Sequence, residues 1–156
     1  MSPDRKYAIV RLGKENYGIS IGRMVEILKR QDVVALPDLS SSVLGVIHLR
    51  GKVVPVVDLR IRFRVSPGVD AKDRIVIVRT GRERVGFVVD DVIEIASFPR
   101  EAVNPPPGVV TAGIKSEYLE GITYYAGGMV VLLDLDRILA ADEVDQIREA
   151  IDDDAA

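Results

Sequence analysis

The chain has 156 residues, of which 47% are hydrophobic but only 5% aromatic, with no Trp, no Cys and a formal net charge of −3. The acidic balance excludes general affinity for nucleic acid, which needs a basic face to displace counterions, and the lack of Cys excludes a disulfide framework and thiolate chemistry. The apolar mass is mostly Val, Ile and Leu, which favours strands; with no signal-peptide pattern at the start and no apolar run near the ~20 residues of a membrane span, a cytoplasmic globular protein is predicted.

In chain order, a strand over 7–12 meets a turn at Gly13-Lys14, and a second strand follows over 16–20. A segment ending in Glu26-Ile27 leads through a loop to the hairpin GVIHLRGKVVPVVDLR (45–60), in which two apolar runs flank Arg50-Gly51-Lys52. Pro55 cannot donate to a ladder and is expected at an edge or bulge. Asp58 then precedes a short helical pattern as an N-cap, its carboxylate accepting first-turn amides. After the joint SPGVDAKD (66–73) the order returns: strands over 75–80 and 85–89 around Gly81-Arg82, a segment ending in Glu94-Ile95, and a loop containing NPPPG (104–108). A hairpin opened by Gly121 follows, and Asp134 caps the pattern DLDRIL. Val144, Ile147 and Ile151 stand at helical spacing, so 140–156 is read as a C-terminal helix and acidic tail.

This return is a duplication. An offset of 68 places Ile9, Val10, Arg11, Gly13, Glu15, Gly18, Glu26 and Ile27 on Ile77, Val78, Arg79, Gly81, Glu83, Gly86, Glu94 and Ile95. An offset of 76 places Gly45, Gly51, Asp58 and Leu59 on Gly121, Gly127, Asp134 and Leu135. The copies run over 7–64 and 75–139. The fold predicted is mainly β: a duplicated pair of small five-stranded barrels, one lobe to each copy, closed so that no sheet edge is exposed, with short helices.

Chemistry is scarce. The one imidazole, His48, lies in a strand pattern and reads as a polar strand position. There is no Cys/His cluster for zinc and no glycine-rich phosphate loop. Asp90, Asp91 and Glu94 invite a metal or acid/base reading, but Asp90-Asp91 fall in a turn and Glu94 repeats Glu26, so they are taken as solvated or capping carboxylates. Asp134 repeats Asp58 and is structural. No catalytic set, metal site or cofactor is expected, and the reading is a binding protein, not an enzyme. Charge is uneven: Arg50, Lys52, Arg60, Arg62 and Arg64 face one acid, Asp58, between 48 and 64, whereas nine acidic residues face Arg137 and Arg148 between 134 and 154. Such asymmetry orients a partner, or it marks two differently solvated faces. An OB-like RNA-binding protein is the alternative from another class, disfavoured by the acidic balance and few aromatics.

The blocks YGISIGRMVEI (17–27), GVIHLRGKVVPVVDLR (45–60), VGFVVDDVIEI (85–95), YLEGI (118–122) and MVVLLDLDRIL (129–139) together resemble the CheW family of bacterial chemotaxis coupling proteins. The likeness covers 7–139, with the blocks in the family's order, and G-x-x-x-L-R-G-x-x-x-P-x-x-D-L is its most specific part. It implies two OB- or SH3-like lobes and leaves strand exchange between them open. It further implies a non-enzymatic adaptor, at receptor arrays on the inner face of the membrane, that links methyl-accepting receptors to the histidine kinase CheA. The partners implied are the receptor's helical cytoplasmic tip and the kinase's CheW-like regulatory domain. Whether such a pathway serves flagella, pili, gliding or gene expression is left open.

Receptor-contacting positions carried over from the resemblance are Met24, Glu26 and Arg50. Arg50 offers a planar fork of donors, and its other reading is a turn residue held by a carboxylate such as Glu26. Val46, Leu49 and Val54 are candidate groove lining, with core packing as the competing role. His48 stands where the family often has Asn.

Overall fold

The computed structural model describes residues 4–35, 42–80, 83–105 and 118–138. The first copy supplies strands β1 (Arg5–Leu12), β2 (Glu15–Ser20), β3 (Met24–Leu28), β4 (Val43–Leu49) and β5 (Lys52–Asp58), then helix α1 (Leu59–Phe63). The second supplies β6 (Arg74–Thr80), β7 (Glu83–Val89), β8 (Asp91–Phe98), β9 (Leu119–Tyr125) and β10 (Gly128–Leu133), then α2 (Leu135–Ile138). The two offsets carry β1 through β5 onto β6 through β10, and α1 onto α2. The Gly81-Arg82 turn, positions 106–108 of the proline run and the expected C-terminal helix lie outside the described residues.

The duplication does not divide the molecule copy by copy. Hydrogen-bonded orders are β8-β1-β2-β10-β9 in one sheet and β3-β6-β7-β5-β4 in the other. The first two strands of each copy therefore join the last three of its sister, so segments 7–64 and 75–139 do not each form a lobe. The cause is local. Where the chain folds back into a hairpin it uses left-handed residues: Gly13 at φ 64°, Arg50-Gly51 at 52° and 77°, Ala126-Gly127 at 50° and 81°. A tight two-residue hairpin needs such angles, and glycine supplies one at no steric cost. Between β2 and β3 the chain instead passes through a 3-10 turn (Ile21–Arg23), leaving Ser20 at ψ 129° and entering Met24 at ψ 136°. Asp90 alone separates β7 from β8. Neither crossing has a left-handed residue, and each sends the chain onward into the other sheet.

Nor do ladders close the sheets into barrels. Each order has two ends, β8 and β9 in one, β3 and β4 in the other. The ends approach through side chains instead. Phe98 on β8 meets Tyr125 on β9 edge to face, with ring centroids 6.4 Å apart. In the other lobe Glu26 of β3 meets Arg50 of the β4–β5 turn. Val34 and Asn104 also bridge to Val46 and Ile122 along β4 and β9. A Cβ on Gly45 or Gly121 would collide with the carbonyl of Val34 or Asn104, which explains glycine at both hairpin openings.

Pro55 is not at a sheet edge, because β5 lies between β7 and β4. Val46, its partner on β4, spends its own N–H and C=O on Val34. The missing N–H of Pro55 accordingly faces β7, whose parallel ladder begins only at Val56.

Strands with both faces covered read as continuous apolar runs, and this accounts for IVIV and VVPVV in the sequence. Ile75 and Ile77 of β6 enter the interior of their own lobe with Ile47, Val54 and Val56. Val76 and Val78, on the opposite face, join Val10, Leu12, Tyr17, Ile19, Phe87 and Leu133 in a larger core shared by both sheets. Tyr7, Ile9, Phe98, Val130 and Leu132 fill the other lobe.

Candidate functional site

The β4–β5 turn puts Arg50 at an exposed tip in a left-handed conformation. Its Nη1 donates to Glu26 Oε1 at 2.8 Å and its Nη2 to Oε2 at 3.1 Å. Glu26 is the more sheltered partner, with its side chain 21% exposed against 69% for Arg50. The bidentate pair fixes the plane of the guanidinium and leaves three of its five N–H donors for another group. Both readings of Arg50 thus describe one arrangement: Glu26 holds it, and the held fork remains open to solvent.

Met24 begins β3 opposite Val78, half-buried against the shared core. Between Met24 and Glu26 the register with β6 slips, leaving Val25 as the extra residue of a bulge. The structure therefore gathers Met24, Glu26 and Arg50 on and beside one edge strand. Of the two roles open to Val46, Leu49 and Val54, groove lining and core packing, the structure favours packing. Val46 and Val54 are each 1% exposed, and Val54 belongs to the lobe interior, so neither lines a surface. Leu49 is half-buried against the same interior. His48 is exposed on β4, opposite Val53.

The cationic run ending at Arg64 does not form one basic face. Arg60 is buried: its Nε and Nη2 donate to the two oxygens of Asp58 at 3.1 Å, and its Nη1 donates to Asp73 at 2.6 Å and Asp90 at 3.1 Å. Burial opposes its charge, and the bonds to Asp58, Asp73 and Asp90 outweigh that effect, raising its pKa above the ordinary arginine value. Arg62 donates to the carbonyl of Ile138 at 2.7 Å and lies over the Tyr118 ring. Arg64 is the left-handed C-cap of α1.

Asp90, expected to be solvated or capping, is 2% exposed and is the hub of this network. Its Oδ2 accepts from the backbone N–H of Gly13 at 3.0 Å and of Gly68 at 2.7 Å, while its own N–H donates to Arg11. An Asp-Asp pair set directly between two apolar runs, with an arginine inside an apolar helical pattern, is the signal that would have found it. Asp58 caps α1 as expected, accepting from the Arg60 N–H at 2.8 Å, and Asp134 accepts from the Arg137 N–H at 3.4 Å. Asp91 accepts from the N–H of Val92 and lies near Lys72, and Glu94 is exposed.

Among the described residues no group of three or more His, Asp or Glu is arranged to hold a metal, and no helix is long and apolar enough to cross a membrane. What the surface offers is a held guanidinium fork on an edge strand. It also exposes apolar side chains on the other sheet: Ile93 and Ile95 on β8, and the cross-strand pair Tyr124 and Met129 on β9 and β10. These are means of binding.

The comparisons agree with this character. Residues 6–143 match the CheW-like domain family. The chain is 32% identical over 142 residues to the chemotaxis protein CheW of Klebsiella aerogenes, covering 90% of this chain and 84% of that one. It is 28% identical over 142 residues to protein FrzA of Myxococcus xanthus, covering 88% and 86%. The crystal structure of the scaffolding protein TtCheW from Thermoanaerobacter tengcongensis superposes with a TM-score of 0.82 at 29% identity, covering 92% of each chain. With the family matched over nearly its whole length and the two-lobed architecture shared, this chain belongs to the CheW-like domain family of chemotaxis scaffold proteins.

Proposed function

We propose that this chain couples methyl-accepting chemoreceptors to the histidine kinase CheA, without catalysis of its own, at arrays on the cytoplasmic face of the membrane. The observation that carries the receptor half is the Arg50 fork, locked by Glu26 at an exposed tip beside Met24. A receptor tip is a helical hairpin, and its end presents carboxylates or free carbonyls. A planar, pre-oriented set of N–H donors binds such acceptors with little further loss of side-chain freedom. Because Glu26 neutralises Arg50, the fork acts by directed hydrogen bonds more than by net charge.

The kinase half rests on the apolar residues of the other sheet. Ile93, Ile95, Tyr124 and Met129 are exposed there, whereas the held fork belongs to the β3-β6-β7-β5-β4 sheet. An apolar contact of this kind suits the kinase's regulatory domain and tolerates salt better than charge steering does. Separate surfaces let both partners be held at once, which coupling requires.

The test is a titration of a receptor-tip fragment into a preformed complex of this chain with the kinase regulatory fragment. A ternary complex is expected, with Arg50→Ala retaining the kinase fragment and losing the receptor. Displacement of one partner by the other would overturn the coupling mechanism.

A further inference from the structure

The two crossings between the sheets are clasped in related places with reversed charge. At the β7–β8 crossing, Asp90 binds Arg60 of α1 at 3.1 Å, and the Asp90 N–H donates to the carbonyl of Arg11. The offset of 76 carries Arg60 onto Asp136 of α2, and the offset of 68 carries Arg11 onto Arg79. At the β2–β3 crossing it is Arg23 that binds Asp136, Nη2 to Oδ2 at 2.5 Å and Nη1 to Oδ1 at 3.1 Å. The Arg23 Nη1 also reaches the carbonyl of Arg79 at 3.4 Å. Each crossing is thus pinned to the helix after a fifth strand and to one position of the first strand of a copy.

The clasps differ in setting. The side chains of Arg60 and Asp90 are 7% and 3% exposed, whereas those of Arg23 and Asp136 are 47% and 40% exposed. An ion pair as open as the second adds little to folding stability. Its position gives it another use. Arg23 immediately precedes Met24, and β3 has a ladder partner on one side only, β6, from which it departs at the Val25 bulge. Along this weakly braced strand, side chains supply two further anchors: Glu26 grips Arg50 in the middle, and Arg23 grips Asp136 at the start.

We infer that Asp136 is a positioning residue for the receptor-facing site, acting through Arg23 to set where β3 presents Met24 and Glu26, and hence where Glu26 holds Arg50. The inference rests on the receptor reading proposed above. It brings into that site a residue from the end of the second copy, 86 positions beyond Arg50 in the chain.

Affinity for a receptor-tip fragment, affinity for the kinase regulatory fragment and the thermal midpoint are measured for the full chain and its variants. Asp136→Arg and Arg23→Asp are each expected to weaken receptor binding about tenfold, with kinase-fragment affinity and midpoint unchanged. The double exchange of both should recover most of the loss, since it restores the pair with its polarity reversed. Full receptor affinity in both single variants, alongside a loss in Arg50→Ala, overturns the inference and leaves the receptor reading intact. Failure of the double exchange to recover binding also overturns it. Full affinity in Arg50→Ala overturns the receptor reading itself.

Discussion

Glu26 and Arg50 come from opposite ends of one hydrogen-bonded order, β3-β6-β7-β5-β4, and grip each other through N–H···O bonds of 2.8 and 3.1 Å. The sheet has curled until its edges meet, and an ion pair spans the gap that no ladder closes. At the matching place in the other lobe stand Glu94 and Ala126, which cannot form such a pair. That lobe brings its edges together with the Phe98 and Tyr125 rings instead. One closure is polar and exposed, the other aromatic and sheltered, so equivalent seams present different chemistry to a partner.

Arg50→Ala should leave the fold intact. Exposed ion pairs are worth about 0.2–1 kcal/mol, so the loss in stability should stay within about 1 kcal/mol. Receptor-tip binding should fall far more than the midpoint does. Chemical denaturation run beside a binding isotherm separates the two, and a large stability loss with full binding would make the pair purely structural.

Asp90→Ala should be much more costly, about 3–5 kcal/mol, because breaking a buried network leaves charge uncompensated. It strips Arg60 of one partner and leaves the amides of Gly13 and Gly68 without an acceptor. Urea unfolding should register this as a shift in midpoint at unchanged slope.

The two caps should part company. Asp134→Ala removes a weak, partly exposed cap and should cost about 1 kcal/mol or less. Asp58→Ala removes a cap together with a buried partner of Arg60, and should cost roughly 2–4 kcal/mol. Equal losses in the two variants would mean that the Arg60 contact contributes nothing.

Burial, with a smaller contribution from Glu15, raises the pKa of the Tyr17 hydroxyl in the folded chain. A group protonated more tightly when folded gives stability that is whole below its unfolded pKa of 10.0 and is lost as pH climbs through the folded value. The thermal midpoint should therefore fall as pH rises above that point, and Tyr17→Phe should fall less steeply. Parallel alkaline profiles for the two proteins would contradict this assignment.

Much was legible in the sequence because it is written locally. Strand runs, the glycines of the hairpin turns and the caps at Asp58 and Asp134 each depend on a few neighbouring residues, and the duplication exposed them twice. The family likeness rested on such local blocks, and it pointed to Met24, Glu26 and Arg50, which the fold brings together on and beside β3. What the sequence left undecided depends on which distant segments meet. Val54 looks the same whether it lines a groove or fills a lobe; only the curling of the sheet buries it. Asp90 looks like a surface turn until Gly13, Gly68 and Arg60 converge on it from three separate stretches of chain. Strand exchange also concerns which distant segments meet, although the residues that decide it are local. A run of Val and Ile pairs equally well with its own copy or its sister, and the choice falls to two short crossings without a left-handed residue, which carry the chain across the shared core instead of back along the strand it has just left.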